Sequence, residues 1–351
     1  MGKDEILKTL LASVSDKVDK RPGSFAYDTL APVAEQVADL LQEIETAKKE
    51  RIIDNLSGDE LTERVRERTG LTRKSATYAV GVVTLTGTGT IHVGDLFETE
   101  GEIQFEATET KNIVNTGAVN VRAVEAGSKG NIPAETITLF PVTLAGFTSV
   151  SNAAPTQDGF DEETDEDLIE RYYERIRTPA TSGNRAHYLN WAKEVPGVGG
   201  ARVFPIWNGP NTVKVIVIDS DKKPASNAIV NAVQQYLDPG MTGLGDGQAP
   251  AGAVVTASSA LAKVINVSFT LSLTPGYTLS QATGNITDSL TDFLKQIAFT
   301  ENIVSYARIG QSILSSEGVA DYSNLTINGG NVNIAISNTE VAVLGTVTIS
   351  V

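Results

Sequence analysis

Apolar residues near the amino terminus recur at helical spacing. Ile6, Leu7, Leu10, Leu11, Val14 and Val18 share one face, and Pro22-Gly23 ends the run. A second helix is predicted from about Asp28, with Pro32 tolerable in its first turn. Its apolar positions are Leu30, Val33, Val37, Leu40, Ile44 and Ala47, at successive steps of 3, 4, 3, 4 and 3 residues. That spacing is a narrow a/d seam, which suits packing against one or two partner helices. It equally suits an ordinary helix resting on its own domain's core. The register lapses at Arg51, and a short charged helix over Asp59–Arg68 ends at Gly70.

From Ala76 to Thr148 the period changes from helical to alternating. Val119, Val121 and Ala123 alternate with Asn120 and Arg122, as in a half-buried strand. Gly87, Gly89, Gly94, Gly101, Gly117, Gly127 and Gly130 fall at turn spacing. A small all-β domain follows from this pattern. After a Ser-, Asn- and Pro-rich loop (149–157), an acidic run leads into a helix carrying Leu168, Ile169, Tyr172, Tyr173 and Ile176.

Beyond Thr178-Pro179 the elements mix. Helices are predicted near 186–195, 227–237, 279–299 and 309–317. Strands are predicted near 201–207, 213–218, 265–273, 325–328, 332–336 and 346–351. Val213–Ile218 is apolar on nearly both faces and reads as a covered central strand. Helix, Gly-Val, strand, Asn-Gly turn, strand occurs twice: once around Asn208-Gly209 and once around Asn328-Gly329. Type I′ hairpins favour such turns. Two related α+β units would produce this echo, and so would two common hairpins meeting by chance. The fold class is therefore α+β and multidomain. N-terminal helices (1–75) precede a β-rich domain (76–157), an α+β domain (158–259) and a C-terminal α+β domain (260–351).

Charge narrows the possible partners. The chain has 351 residues and a formal net charge of −15. Residues 1–75 are densely charged yet nearly neutral, with 13 basic and 15 acidic side chains, so the remainder carries most of the deficit. An acidic surface is poorly suited to nucleic acid, because affinity for phosphates comes from cationic contacts. The long uncharged stretch 136–157 contains Pro141 and Pro155 and would not span a membrane as a helix. No signal-type apolar segment follows Met1-Gly2-Lys3, so a soluble protein made in a cytoplasm is expected.

The inventory of catalytic parts is thin. There is no cysteine, which excludes thiolate metal sites and a cysteine nucleophile. The two histidines, His92 and His187, belong to no metal-binding spacing. His187, beside Tyr188 and Trp191, is expected to be structural. Gly87-Thr-Gly89 precedes a strand and lacks a third glycine, so it fails as a dinucleotide loop. Gly243-Leu-Gly245-Asp-Gly247 has no helix after it to bind phosphate. Asp158–Glu170 holds eight acidic side chains in thirteen residues but does not match an EF-hand. Capping of a helix amino terminus by Thr164 or Asp165 accounts for it better. No catalytic, metal or cofactor site is expected, and no cofactor. A structural or interaction role fits. Two rivals remain: a carbohydrate-binding or adhesin-like surface protein using the β-rich region, and a hydrolase using carboxylates in Asp158–Glu174.

Several segments in order resemble one known family. Gly70-Leu71-Thr-Arg73-Lys-Ser-Ala76, Gly81–Ile91 and Gly94-Asp95 are similar to the opening of the baseplate J-like proteins of contractile phage tails. Gly127-Ser-Lys-Gly130-Asn131 resembles their G-x-x-G-N turn. Gly159–Leu168 with Arg171 and Pro179 resembles their acidic helix start. Tyr188–Val203, Thr212–Val217 and Glu340–Val347 resemble later segments. The resemblance covers about Gly70 to Val351.

The resemblance implies a non-enzymatic wedge component of the baseplate. Copies would dimerise and join a six-fold ring around a central hub and spike, coupling receptor engagement to sheath contraction. The implied partners are other copies, a tail protein I-like wedge partner, a small lysozyme-like wedge protein, the hub and spike, and the sheath. The implied location is the virion baseplate or a tail-like bacteriocin particle, assembled in the host cytoplasm. Leu30, Val33, Val37, Leu40, Ile44 and Ala47 become the candidate interface, and sheet edges near the carboxyl terminus are candidates for strand addition.

Overall fold

The first helix, α1, spans Lys3–Ser13. Ser24 starts the second helix earlier than the apolar pattern does. Its hydroxyl accepts the Tyr27 N–H and its carbonyl the Asp28 N–H, which is N-cap chemistry. Helix α2 therefore runs Phe25–Lys49, and Pro32 lies in its second turn, not its first. Helix α3, Gly58–Thr69, is closed by Gly70 at φ 76°, a conformation that glycine adopts without Cβ strain. The computed structural model describes residues 2–49, 51–178 and 180–351. Met1, Glu50 and Pro179, the last of which forms part of the family resemblance, lie outside the described residues.

The chain divides into two units. The first is Met1–Arg73 with Thr164–Ile176. Within it α1 packs on α2 through buried Ile6, Leu7 and Ala34, with Leu10, Leu11, Leu30, Val37 and Leu41 half-buried around them. A second core joins Ile53, Leu56, Leu61, Val65 and Leu71 to Leu168 and Tyr172 of a helix far along the chain. That helix begins at Asp165, after a Thr164 hydroxyl that accepts the Asp167 N–H at 3.1 Å. The sequence pattern places this helix in the 158–259 segment, whereas its apolar face fills the core of the N-terminal helices.

The second unit holds the rest, Lys74–Glu163 and Arg177–Val351. Its first part is eight strands: β1 (Val80–Gly87), β2 (Gly89–Ile91), β3 (Leu96–Thr99), β4 (Gln104–Ala107), β5 (Lys111–Ile113), β6 (Thr116–Ala123), β7 (Ile137–Leu139) and β8 (Phe147–Ser151). Six of them form a sheet in the order β7-β3-β4-β6-β1-β8. Asn152 nearly closes this sheet into a barrel. Its Oδ1 accepts the Thr136 and Ile137 N–H groups, and its Nδ2 donates to the Pro133 and Ala154 carbonyls. Phe97, Phe105, Leu85, Ile91 and Ile137 fill the interior. Gly87 sits at φ 138°, where a Cβ would lie 2.1 Å from the Gly146 carbonyl oxygen. The Gly87-Thr-Gly89 segment is thus a tight corner between strands.

Helix α4 (Asp165–Arg177), which belongs to the first unit, is followed in the second by α5 (Arg185–Glu194), β9 (Val198–Pro205), β10 (Thr212–Asp219), α6 (Asn227–Leu237) and β11 (Val254–Ser259). The sheet order is β11-β10-β9, with β11 parallel to β10. The sequence pattern misses β11, because Val-Val-Thr-Ala-Ser-Ser does not alternate cleanly between apolar and polar positions. Strand β10 is central and covered on both faces, as its apolar run predicts.

The last part comprises β12 (Leu261–Leu273), α7 (Leu279–Ile297), β13 (Ile303–Val304), α8 (Tyr306–Leu314), β14 (Val319–Ile327), β15 (Ile334–Ala335) and β16 (Glu340–Ser350). The alternating Ile265, Val267, Phe269 and Leu271 of β12 meet Ile286, Leu290 and Phe293 of α7, in the largest core. Helix α8 starts three residues before its predicted position, because the Ser305 hydroxyl caps it. The echo between the two α+β units stops at the turns. Strands β9 and β10 form an antiparallel hairpin around a loop whose positive φ angles fall at Ile206, Gly209 and Asn211, not at Asn208. Asn328-Gly329 does turn tightly, with both φ angles positive, but β14 then pairs with β12 and β15 with β13. The Asn328 side chain draws the chain to β12 by accepting the Asn266 N–H and donating to the Val264 carbonyl.

Candidate protein interface

Helix α2 turns by about 100° per residue, so a strict a/d seam spreads over more than one face of a straight helix. The structure divides the seam accordingly. Leu30 and Val37 turn toward α1 and are half-buried there, beside Ala34 and Leu41. Val33, Leu40 and Ile44 are 45%, 57% and 49% exposed, and Ala47 is also exposed. Val33, Leu40 and Ile44 lie outside the core that α1 and α2 share. The six candidate residues thus form two adjacent stripes, one facing α1 and one facing solvent.

The sequence seam includes Leu30 and Val37 of the α1-facing stripe but not its fully buried residue, Ala34. An alanine scores weakly as apolar, yet here it is buried against Ile6 and Leu7 of α1. Phe25, at the start of α2, is 88% exposed. Acidic side chains border the far end of the open stripe, where Asp39, Gln42, Glu43, Thr46 and Ala47 line a shallow depression. Lone exposed apolar residues are ordinary; here three lie on one helix face at seam spacing.

The acidic run does different work. Asp158 accepts the Ser226 hydroxyl at 2.9 Å. Asp161 accepts both the N–H and the hydroxyl of Ser128, at 2.8 and 2.7 Å, and these bonds hold its carboxyl below the usual carboxylate range. A Glu163 carboxylate oxygen accepts the Lys74 N–H. Asp165 accepts the Gly58 N–H and pairs with Arg73, and that N–H followed by the guanidinium lowers its pKa. The carboxylates fasten separate backbone segments in place of converging on a point. No cluster of three or more His, Cys, Asp or Glu able to hold a metal occurs among the described residues.

The Gly127–Asn131 turn is the other half of this fastening. The Asn131 side chain donates to the Gly159 carbonyl and accepts the Gly159 N–H, at 2.6 and 2.9 Å. Gly159 needs to be glycine here, because a Cβ would sit 2.5 Å from the Gly127 carbonyl oxygen.

The remaining chemical candidates are also structural. His187 stacks on Trp191 at 3.7 Å, and its Nδ1 accepts the Gly183 N–H. Trp191 is buried against Tyr188. His92 sits in an exposed turn, where Asp95 accepts its backbone N–H. Of the two tryptophans only Trp207 is open, with Lys214 over its ring at 4.9 Å. The carbohydrate-cleft alternative would have to use it without a second tryptophan. No helix among the described residues is long and apolar enough to cross a membrane.

Comparison with known proteins adds three family matches in chain order. The baseplate J-like protein barrel domain matches residues 82–159, the baseplate J-like central domain 180–259, and the baseplate J-like protein C-terminal domain 265–350. The chain is 34% identical over 347 residues to the phage-like element PBSX protein XkdT of Bacillus subtilis strain 168, covering 99% of this chain and 97% of that protein. It is 27% identical to baseplate protein gp47 of Escherichia phage Mu, over 90% of this chain and 91% of that one. A chain of the anti-feeding prophage baseplate aligns over 97% of both, with 12% identity and a TM-score of 0.39, a loose global likeness.

Proposed function

The chain belongs to the baseplate J-like protein family, and on that premise we propose that it is a structural component of a contractile-tail baseplate. In this reading it is a wedge protein, whose copies join in a six-fold ring around the hub and pass receptor engagement on to sheath contraction. It works without catalysis, by being held between neighbours. The observation that carries the reading is the ordered run of barrel, central and C-terminal family domains over residues 82–350, together with similarity along most of the chain to a relative named as a phage baseplate protein.

The proposed neighbours are other copies, a tail protein I-like wedge partner, a small lysozyme-like wedge protein, the hub and spike, and the sheath. The open stripe of Val33, Leu40, Ile44 and Ala47 supports a helix from one of these neighbours, with Leu30 and Val37 shared between that helix and α1. The barrel and the two α+β parts then act as rigid bodies, fastened by the acidic clasps.

The test is to pellet tail particles from host lysate and count this chain against the sheath by quantitative mass spectrometry. A whole multiple of six copies per baseplate-bearing particle is expected. Finding the chain only in the soluble fraction would overturn the proposal.

A further inference from the structure

Asparagine followed by glycine is a chemically labile pair, because glycine has no Cβ to keep its backbone nitrogen away from the asparagine side chain. Two such pairs occur in the chain, Asn208-Gly209 and Asn328-Gly329. Both asparagines are exposed, so exposure does not distinguish them. They differ in what holds the side-chain amide.

The Asn328 amide is tied at both ends to β12. Its Oδ1 accepts the Asn266 N–H at 2.8 Å, and its Nδ2 donates to the Val264 carbonyl at 3.1 Å. The Asn328 backbone N–H donates in turn to the Asn266 carbonyl. Asn208 lies in the loop between β9 and β10. Its backbone N–H donates to the Thr212 hydroxyl at 3.0 Å, but its side-chain amide has no hydrogen-bond partner among the described residues.

We propose that Asn208 is a site of spontaneous deamidation, and that the fold protects Asn328 from the same reaction. The Gly209 amide nitrogen attacks the Asn208 side-chain carbonyl carbon. A C–N bond forms there, the bond to the side-chain nitrogen breaks, and the proton lost by the Gly209 nitrogen leaves with that nitrogen as ammonia. Water then adds to either carbonyl of the cyclic imide and opens it to an aspartyl or an isoaspartyl linkage. Water is consumed and ammonia released, with no oxidation or reduction. At Asn328 both bonds to the amide must break before its carbonyl carbon can be attacked.

The product alters the loop in two ways. A carboxylate replaces a neutral amide next to Trp207, whose ring carries Lys214 at 4.9 Å. The isoaspartyl form also lengthens the main chain by one methylene between residues 208 and 209. The Thr212 hydroxyl donates to the Gly209 carbonyl at 2.7 Å while accepting the Asn208 N–H, so the added length pulls apart the two bonds that close the loop.

The test is to hold the full-length protein in mildly alkaline buffer, sample it over days, and map its peptides against synthetic standards carrying aspartyl or isoaspartyl at each position. Asn208 should convert to a mixture of both products, about tenfold or more faster than Asn328, whose two hydrogen bonds must first be broken. In urea, where β12 no longer holds Asn328, that gap should close. Hydrogen exchange across 206–212 should quicken as the wild-type chain ages and stay constant in Asn208→Gln, whose longer side chain cannot form the same ring. An Asn208 that stays intact in the folded chain while the denatured chain converts would overturn the proposal, as would equal conversion of both asparagines in the folded chain. A gap that persists in urea would overturn protection by the fold, and unchanged exchange in the converted chain would overturn the loosening of the loop.

Discussion

Replacing Leu40 and Ile44 with Asp separates the fold of α2 from its proposed use. Neither side chain packs between α1 and α2, so the isolated chain loses mainly helix propensity, about 0.5 kcal/mol per site. A covering helix changes the sum. Full burial of a Leu or Ile is worth about 1.5–3 kcal/mol. Leu40 is 57% and Ile44 49% exposed, so roughly half of that value is still to be gained at each, about 2–3 kcal/mol for the pair. Two carboxylates forced into the contact add a desolvation cost of their own. Association should therefore weaken by on the order of a hundredfold or more, while the thermal midpoint of the isolated chain falls by only a few degrees. Co-purification with the tail protein I-like wedge partner reads the first effect, and circular dichroism melting reads the second. A folded double variant that still co-purifies normally would refute the assignment of this stripe. A variant whose helices are lost would show that the stripe serves the chain's own fold.

Leu168→Ala should cost about 2–5 kcal/mol, because Leu168 is fully buried against α3; hydrogen exchange should quicken in α3, about a hundred residues away in sequence, and unchanged α3 protection would contradict the shared core. Asp219 has its carboxyl pushed up to about 6, chiefly by burial and then by Asp221, against the Lys223 N–H. Its folded pKa lies above the unfolded value, so stability falls as pH rises from about 4 to 6. Asp219→Asn can keep the Lys223 N–H bond and should be the more stable chain at pH 8, by about 1–2 kcal/mol once solvent screening is allowed for, with no advantage below pH 4. A gap of equal size at both pH values in urea melts would contradict burial as the cause. Asp238→Ala strands the Gly243 and Val255 N–H groups, each worth about 1–3 kcal/mol when buried without a partner, and should lower the urea midpoint; an unchanged midpoint would show that the β11 edge needs no cover.

Periodicity made most elements legible. The alternation of Ile265 to Leu273 marked β12, and the apolar run of Val213–Ile218 marked β10, because each side chain's environment is set by its own strand. Boundaries set by side-chain caps were harder, as at Ser24 and Ser305, where a hydroxyl decides the start and the apolar pattern is silent. What the sequence could not carry was partnership across distance. Nothing near Leu168 and Tyr172 says that they complete the core of helices a hundred residues earlier. The a/d spacing of α2 identified the six interface candidates but not their division, which depends on Ala34 letting α1 sit to one side of the seam. The acidic run was legible as capping at Thr164. Its clasps to Ser128, Lys74 and Gly58 appear only once the chain is folded, since each joins groups distant in sequence.

The central claim is that this chain acts as a load-carrying part of a contractile-tail baseplate. Deleting its gene in the host and imaging the induced particles by electron microscopy tests that claim most directly. The account predicts that no sheathed tails with baseplates form, and that they return when the wild-type gene is supplied. Intact contractile particles with complete baseplates in the deletion strain would contradict it.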